Sequence, residues 1–195
     1  MAVRDPEATQ QRILAAARRE FAAKGISGGR VDTIAERAKV NKRMLYHYFS
    51  SKQGLFRAIL ADALSRRTAS PPVAPASITD RLAARAEWFR QDPEYVRLLM
   101  WEALERGRAE PVEQSDRVEA YAGLVAAVRA SQGAGELPAD LDADQWALAE
   151  LALTVFPLAF PQVTEMMTGL RPDSAEFATA QARFLEDLVG HLSRR

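Results

Sequence analysis

The chain has 195 residues, 48% of them apolar and 27% charged, enough for one or two domains with a proper core. It has no cysteine and only two histidines, His47 and His191, which excludes disulfides, thiol catalysis and Cys-ligated metal sites and argues against a His-built metal centre; no cofactor is expected. The net charge of zero conceals a separation: residues 1–68 carry 14 Lys/Arg against 6 Asp/Glu, residues 69–195 carry 12 against 20, and every lysine lies at or before position 52. A basic end of this kind reads as a nucleic-acid surface.

The first ten residues, MAVRDPEATQ, lack the apolar stretch of a signal peptide. Asp5-Pro6-Glu7 is a helix start, with a capping acid, Pro at the first position and acid in the first turn. That helix is expected to run to about Lys24, with Ile13, Leu14, Ala17 and Phe21 on one face, and Gly25 ends it. Arg12, Arg18 and Arg19 read as solvated surface. After Gly28-Gly29-Arg30, the spacing of Val31, Ile34, Ala35 and Ala38 predicts a short amphipathic helix. Lys39-Val40 breaks the pattern and Asn41 is a good N-cap for the next helix, Lys42 to Phe49. Leu45 and Phe49 fall on its buried side, while Arg43, Met44, Tyr46 and His47 face the other way with Lys42 at the edge. Such a face suits a major groove: the cations donate to guanine or phosphate, Met44 or Tyr46 touches a thymine methyl, and the Tyr and His tips reach phosphates.

The stretch RVDTIAERAKVNKRMLYHYFSSKQGLF resembles the helix-turn-helix of TetR/AcrR-type transcriptional regulators, with Leu45, Tyr46, His47, Tyr48, Phe49 and Lys52 falling on the family's aromatic run. The resemblance covers roughly residues 8 to 60. One departure is Lys39, where the family usually has Gly in the turn; a non-Gly residue in a left-handed turn costs roughly 1–2 kcal/mol. What the resemblance implies is an all-α protein of about nine helices. A three-helix DNA-binding bundle would occupy residues 1–52, and a helical effector-binding and dimerisation domain residues 53–195. The DNA-contacting set is then expected to be Arg30, Thr33, Lys39, Asn41, Lys42, Arg43, Met44, Tyr46, His47, Tyr48 and Lys52. Lys52 stands at a helix N-terminus, where free amides and the dipole already favour phosphate.

A fourth helix opens at Ser51-Lys52 and packs Leu55, Phe56, Ile59 and Leu60 inward to about Arg67. Residues 69–76, with three prolines and no charge, read as a linker. Ser77-x-x-Asp80 is a capping box for a helix to about Gln91, and Asp92-Pro93-Glu94 starts another. On that helix Val96, Leu99, Met100 and Ala103 are expected inward, with Trp101 on the opposite side awaiting a covering element. A helix from about Glu113 to Gln132 is expected to turn Val118, Tyr121, Ala122, Val125 and Val128 inward. Asp142-x-x-Gln145 caps one long helix to about Met167, kinked at Pro157 and Pro161. Its polar stripe (Glu150, Thr154, Gln162, Glu165) is narrow, so it is expected to be buried on most sides, with a second subunit as one cover. The most apolar segment, Leu151 to Val163, is too short and too interrupted to span a bilayer, and a cytoplasmic protein is expected. Asp173-x-x-Glu176 starts the last helix, whose apolar face carries Phe177, Phe184, Leu185, Leu188 and Leu192.

These features point to a dimeric DNA-binding regulator, most simply a repressor released from a palindromic operator by a small, largely apolar effector. Trp88, Tyr95, Met100, Glu102, Tyr121, Trp146, Phe156 and Phe160 are candidate effector contacts. Phe160, Val163, Phe184, Leu188 and Leu192 are candidate dimer contacts. The alternative is a constitutive DNA-binding or adapter protein that senses nothing. An enzyme is not expected: no acid/base pair, phosphate loop, nucleophile motif or metal-ligand cluster stands out.

Overall fold

The structure, a computed structural model, describes residues 5–69, 77–107, 109, 111–112 and 114–192, with side chains omitted for 66–69. The expected linker at 69–76 therefore lies almost wholly outside the described residues. Those residues form ten α-helices and no strand: α1 (Pro6–Gly28), α2 (Val31–Ala38), α3 (Lys42–Phe49), α4 (Lys52–Ala69), α5 (Ile78–Gln91), α6 (Pro93–Arg106), α7 (Gln114–Gly133), α8 (Ala143–Ala159), α9 (Pro161–Thr168) and α10 (Ala175–Leu192). By packing, the chain divides into one unit of Met1–Ser70 with Arg97–Gln114 and another of Pro71–Val96 with Ser115–Arg195. The sequence reading begins the second domain at residue 53. Packing keeps α4 with the first unit, because Leu55, Phe56, Ile59 and Leu60 are all buried and α4 lies against α1 and α3.

In the first unit, Asp5 caps α1 by accepting from the amides of Glu7 (3.0 Å) and Ala8 (3.2 Å). Ile13, Ala17 and Phe21 are fully buried against α2 and α4, and Phe21 meets Phe56 edge to face at 6.0 Å. Gly25 does break α1, at φ 73° and ψ 175°, but one more turn follows to Gly28. At the break the Ala22 carbonyl accepts from Arg97 Nε (2.8 Å) and Trp101 Nε1 (3.2 Å). Beyond it the Ser27 amide and hydroxyl donate to the Glu105 carboxylate at 3.0 and 2.9 Å. The end of α1 is thus the element that covers Trp101. A side chain at Gly25 has no room, since a Cβ there would lie 2.5 Å from Glu105 Oε1 and 2.8 Å from Trp101 Cε3.

The second unit is built around Ile78, Leu82, Val128, Leu137, Ala147, Leu185 and Val189, with Trp146 packed against them. Trp88, Phe89 and Tyr95 form an aromatic cluster at the junction of α5 and the start of α6, with Trp88 and Tyr95 centroids 5.3 Å apart. Here the facing of α8 reverses the expectation. Its polar residues point inward: Glu150 and Thr154 are buried, while Leu148 is 60% and Phe156 47% exposed. Glu150 can be buried because Arg81 (2.8 Å) and Arg85 (3.0 Å) neutralise it and the Trp146 indole donates to it (3.0 Å). On α7, Val118 and Ala122 also face outward; its small apolar residues lie on every side, so periodicity could not fix which face turns in.

The single kinked helix expected over 142–167 is two helices meeting at 93°. Pro157 is accommodated within α8, and the chain breaks at Phe160 (φ −125°, ψ 64°), with Pro161 as the first residue of α9. The residue before a proline is pushed out of the helical region, and the proline ring excludes the preceding turn's carbonyl. Among the described residues no single helix is long and apolar enough to cross a membrane; α8 and α9 reach that length and composition only as a bent pair.

Candidate nucleic-acid interface

One buried carboxylate ties α2 to α1. Glu20 on α1 is fully buried and accepts from Lys24 Nζ (2.8 Å), Arg37 on α2 (3.0 Å) and the Arg30 amide at the entry to α2 (3.3 Å). The hydrogen bond from Lys24, helped by the Arg30 amide and the charges of Lys24 and Arg37, outweighs burial and holds the Glu20 carboxyl below its ordinary range. α2 is thereby fixed to α1 at both its N-cap and its last turn.

α2 ends on Lys39, which is left-handed at φ 55° and ψ 44°. Its amide returns to Glu36 O (3.0 Å) and the Val40 amide to Ala35 O (3.0 Å), closing the helix in the manner usually entrusted to glycine. Arg12 is tied to this corner, its Nε donating to Ala38 O at 3.4 Å and its Nη2 to Thr9 Oγ1 at 3.0 Å. Arg12 is exposed, as expected, but a spacing of 26 residues gives no local signal for its tie to Ala38. Asn41 then caps α3, its side chain accepting from the Met44 amide at 2.7 Å.

Leu45 and Phe49 anchor α3 in the core. Lys42, Arg43, Tyr46 and His47 are exposed, and so are Arg30, Lys39 and Asn41 beside them; Thr33, Met44, Tyr48 and Lys52 are half-buried. The His47 and Tyr48 rings meet edge to face at 5.7 Å. Lys42 pairs with Asp32 of α2 at 2.9 Å. That contact lowers the Asp32 carboxyl pKa and raises that of the Lys42 ammonium.

A second non-glycine residue of positive φ, Ser50 at 60°, turns the chain out of α3; the sequence reading had no signal for it. Ser51 Oγ accepts from the Gly54 amide at 2.9 Å. Gly54 is required by close approach, since a Cβ there would lie 2.2 Å from the Phe49 carbonyl oxygen. This turn sets the start of α4 and with it Lys52, whose Nζ donates to the Ser27 carbonyl at 2.8 Å.

The candidate effector residues fall in both units. Met100 and Glu102 belong to the first unit, where buried Glu102 accepts from the Val112 amide at 2.8 Å. In the second unit Tyr95 is buried in the aromatic cluster, Trp88 is half-buried there, Trp146 serves Glu150 and Tyr121 is half-buried. Phe156 and Phe160 are about half exposed, their rings 5.0 Å apart, and Phe156 lines an apolar cavity with Leu153, Phe177 and Phe184. Of the candidate dimer residues, Phe160 and Phe184 are exposed at 47% and 53%, while Val163, Leu188 and Leu192 are half-buried.

A short helix that turns cations and aromatics outward, set against a second helix by a fixed left-handed corner, is the reading head of a helix-turn-helix DNA-binding protein. Residues 13–59 match the family model for bacterial regulatory proteins of the tetR family, and residues 79–183 match that for a tetracyclin repressor-like C-terminal domain. The chain is 37% identical over 169 residues to the HTH-type transcriptional repressor SCO4008 of Streptomyces coelicolor, covering 87% of this chain and 88% of that protein. The chain therefore belongs to the tetR family of bacterial regulatory proteins, and it is a DNA-binding transcriptional regulator. Among solved structures it is similar to SCO4942 of the same organism (TM-score 0.76, 27% identity, 94% of this chain and 97% of that one). It is also similar to GusR of Salmonella enterica (TM-score 0.68, 27% identity, 97% and 100%).

Proposed function

We propose that the protein is a cytoplasmic homodimeric repressor that binds a near-palindromic operator and leaves it when a small, largely apolar effector binds the second unit. The observation that carries the dimer is the reversed facing of α8. With Glu150 and Thr154 turned into the core, Leu148, Phe156, Phe160 and Phe184 are left between 47% and 60% exposed on the second unit. A face of large apolar side chains is costly to leave in water, and large exposed apolar patches mark association sites. A second copy, meeting it about a two-fold axis, offers the same apolar surface in return. The dimer in turn supplies two copies of α3, and one such helix reads only a short half-site. Arg43 is assigned to base contact, Lys42 to base or phosphate, Tyr46, His47 and Met44 to the groove wall, and Lys39, Arg30 and Lys52 to phosphates. Thr33, Asn41 and Tyr48 complete the set at the groove edge. The relatives' description as repressors supports the sign of regulation.

The effector reading rests on linkage. If effector and operator bind different states, operator DNA must weaken effector binding by the same factor by which effector weakens operator binding, with coupling of about 1–3 kcal/mol typical. A compound found by thermal shift is titrated with and without operator. A lower affinity in the presence of operator is the expected result. Equal affinities would instead favour a constitutive binder.

A further inference from the structure

Asp32 is a negative charge on the side of the molecule that meets DNA. It lies in the first turn of α2, its side chain is 65% exposed, and its carboxylate sits 2.9 Å from the ammonium of Lys42, itself 52% exposed. Lys42 and Arg30 are the cations whose charges act on it, and exposed Glu36, one turn further along α2, is a second acid on that helix. A pair this open is weak, because water and salt screen it. It therefore contributes little to holding α2 against α3, which the left-handed corner at Lys39 and the buried Leu45 and Phe49 already fix. Its effect on a polyanion is of a different order. Each protein cation that meets a phosphate releases counterions, and a cation already matched by a carboxylate releases none on balance.

We propose that Asp32 is a selectivity-setting residue that holds Lys42 in reserve. On arbitrary DNA the Asp32 carboxylate offsets the Lys42 charge, and the head presents one positive charge fewer. On the operator the base contacts of α3 bring Lys42 against its target, and the cost of parting from Asp32 is met by those contacts. Asp32 thereby lowers non-specific affinity more than operator affinity. The inference rests on α3 being the reading helix, as proposed above.

The test uses the full-length protein with Asp32→Asn, Lys42→Ala, the double variant and Arg43→Ala. Binding to the selected operator and to a shuffled duplex of equal length is followed by fluorescence anisotropy between 50 and 200 mM salt. Thermal melting confirms that each variant is folded, since removing an acid from the first turn of α2 also touches that helix. Expected for Asp32→Asn is tighter binding to the shuffled duplex, with a salt slope steeper by about one unit. Its advantage over the parent on that duplex should shrink by roughly threefold across this salt range. Its gain on the operator should be smaller, so the ratio of specific to non-specific affinity falls. In the Lys42→Ala background Asp32→Asn should lose most of that gain. An unchanged slope on the shuffled duplex, an equal gain on both duplexes, or an equal gain with and without Lys42 would each overturn the proposal. If Arg43→Ala also leaves operator preference intact, the assignment of α3 has failed instead, and the two failures are distinguishable.

Discussion

Glu20 and Arg37, separated by 17 residues in sequence, are joined at 3.0 Å, and the same carboxylate takes the Arg30 amide at the start of α2. One buried acid thus ties α2 to α1 at both ends of α2.

Glu20→Ala should destabilise the protein. Lys24 and Arg37 are half exposed and return to water, but the Arg30 amide loses its acceptor, so a loss of about 1–3 kcal/mol is expected in urea denaturation. The pH dependence has a fixed sign. Because the folded carboxyl is held low, its contribution is fully present above the ordinary glutamate value of 4.5 and is lost as pH falls through the lower folded value. The stability difference between parent and Glu20→Gln should therefore narrow only in acid, below about pH 4.5. A gap that narrows near neutrality would show that another group holds the corner.

Gly25→Ala is expected to cost about 1–3 kcal/mol from backbone strain alone, because φ 73° with ψ 175° is a region essentially restricted to glycine. The clash with Glu105 and Trp101 adds to that. Gly123→Ala on α7 is the control, since a Cβ there meets nothing within 4 Å and should stabilise the helix by roughly 0.5–1 kcal/mol. Thermal melting of both variants compares them directly.

Much of this was legible in the sequence for physical reasons that are local. Asn41, Asp5, Ser77 and Asp142 each cap a helix within three residues of themselves, so the chain's own spacing declares them. Leu45 and Phe49 lie four apart on a helix with one apolar side, which fixes what α3 buries and what it turns out. The facing of α8 was not legible. Its polar stripe is narrow, and a narrow polar stripe is ordinarily the wet side; only Arg81 and Arg85, some 65 to 69 residues away, make it the dry one. The tie of Arg12 to the Ala38 carbonyl, 26 residues away, failed to declare itself for the same reason. Composition cannot say which of several aromatic side chains share a cavity.

Removing the Glu150 carboxylate should be among the most damaging single changes. Glu150→Ala leaves Arg85, which is buried, with one neutralising contact fewer, and a loss of about 3–5 kcal/mol is expected by chemical denaturation. A loss under about 1 kcal/mol would mean that the two guanidinium groups are neutralised elsewhere.

Phe160→Glu and Phe184→Glu place a charge on the outer apolar side of the second unit without entering its core, both being about half exposed in the single chain. Each variant should melt as a folded protein yet sediment as a monomer, and operator affinity should fall with it. Folded dimers in both cases would move the interface to another face.

Two copies of α3, presented together, should read one near-palindromic DNA sequence. Selecting bound duplexes from a randomised pool with the parent protein tests it most directly. Expected is a motif of two inverted half-sites whose centres lie about one helical turn, roughly 34–36 Å, or a multiple of it apart. The same selection with Arg43→Ala should lose information at one position in each half. A single asymmetric motif, or no enrichment at all, would contradict it.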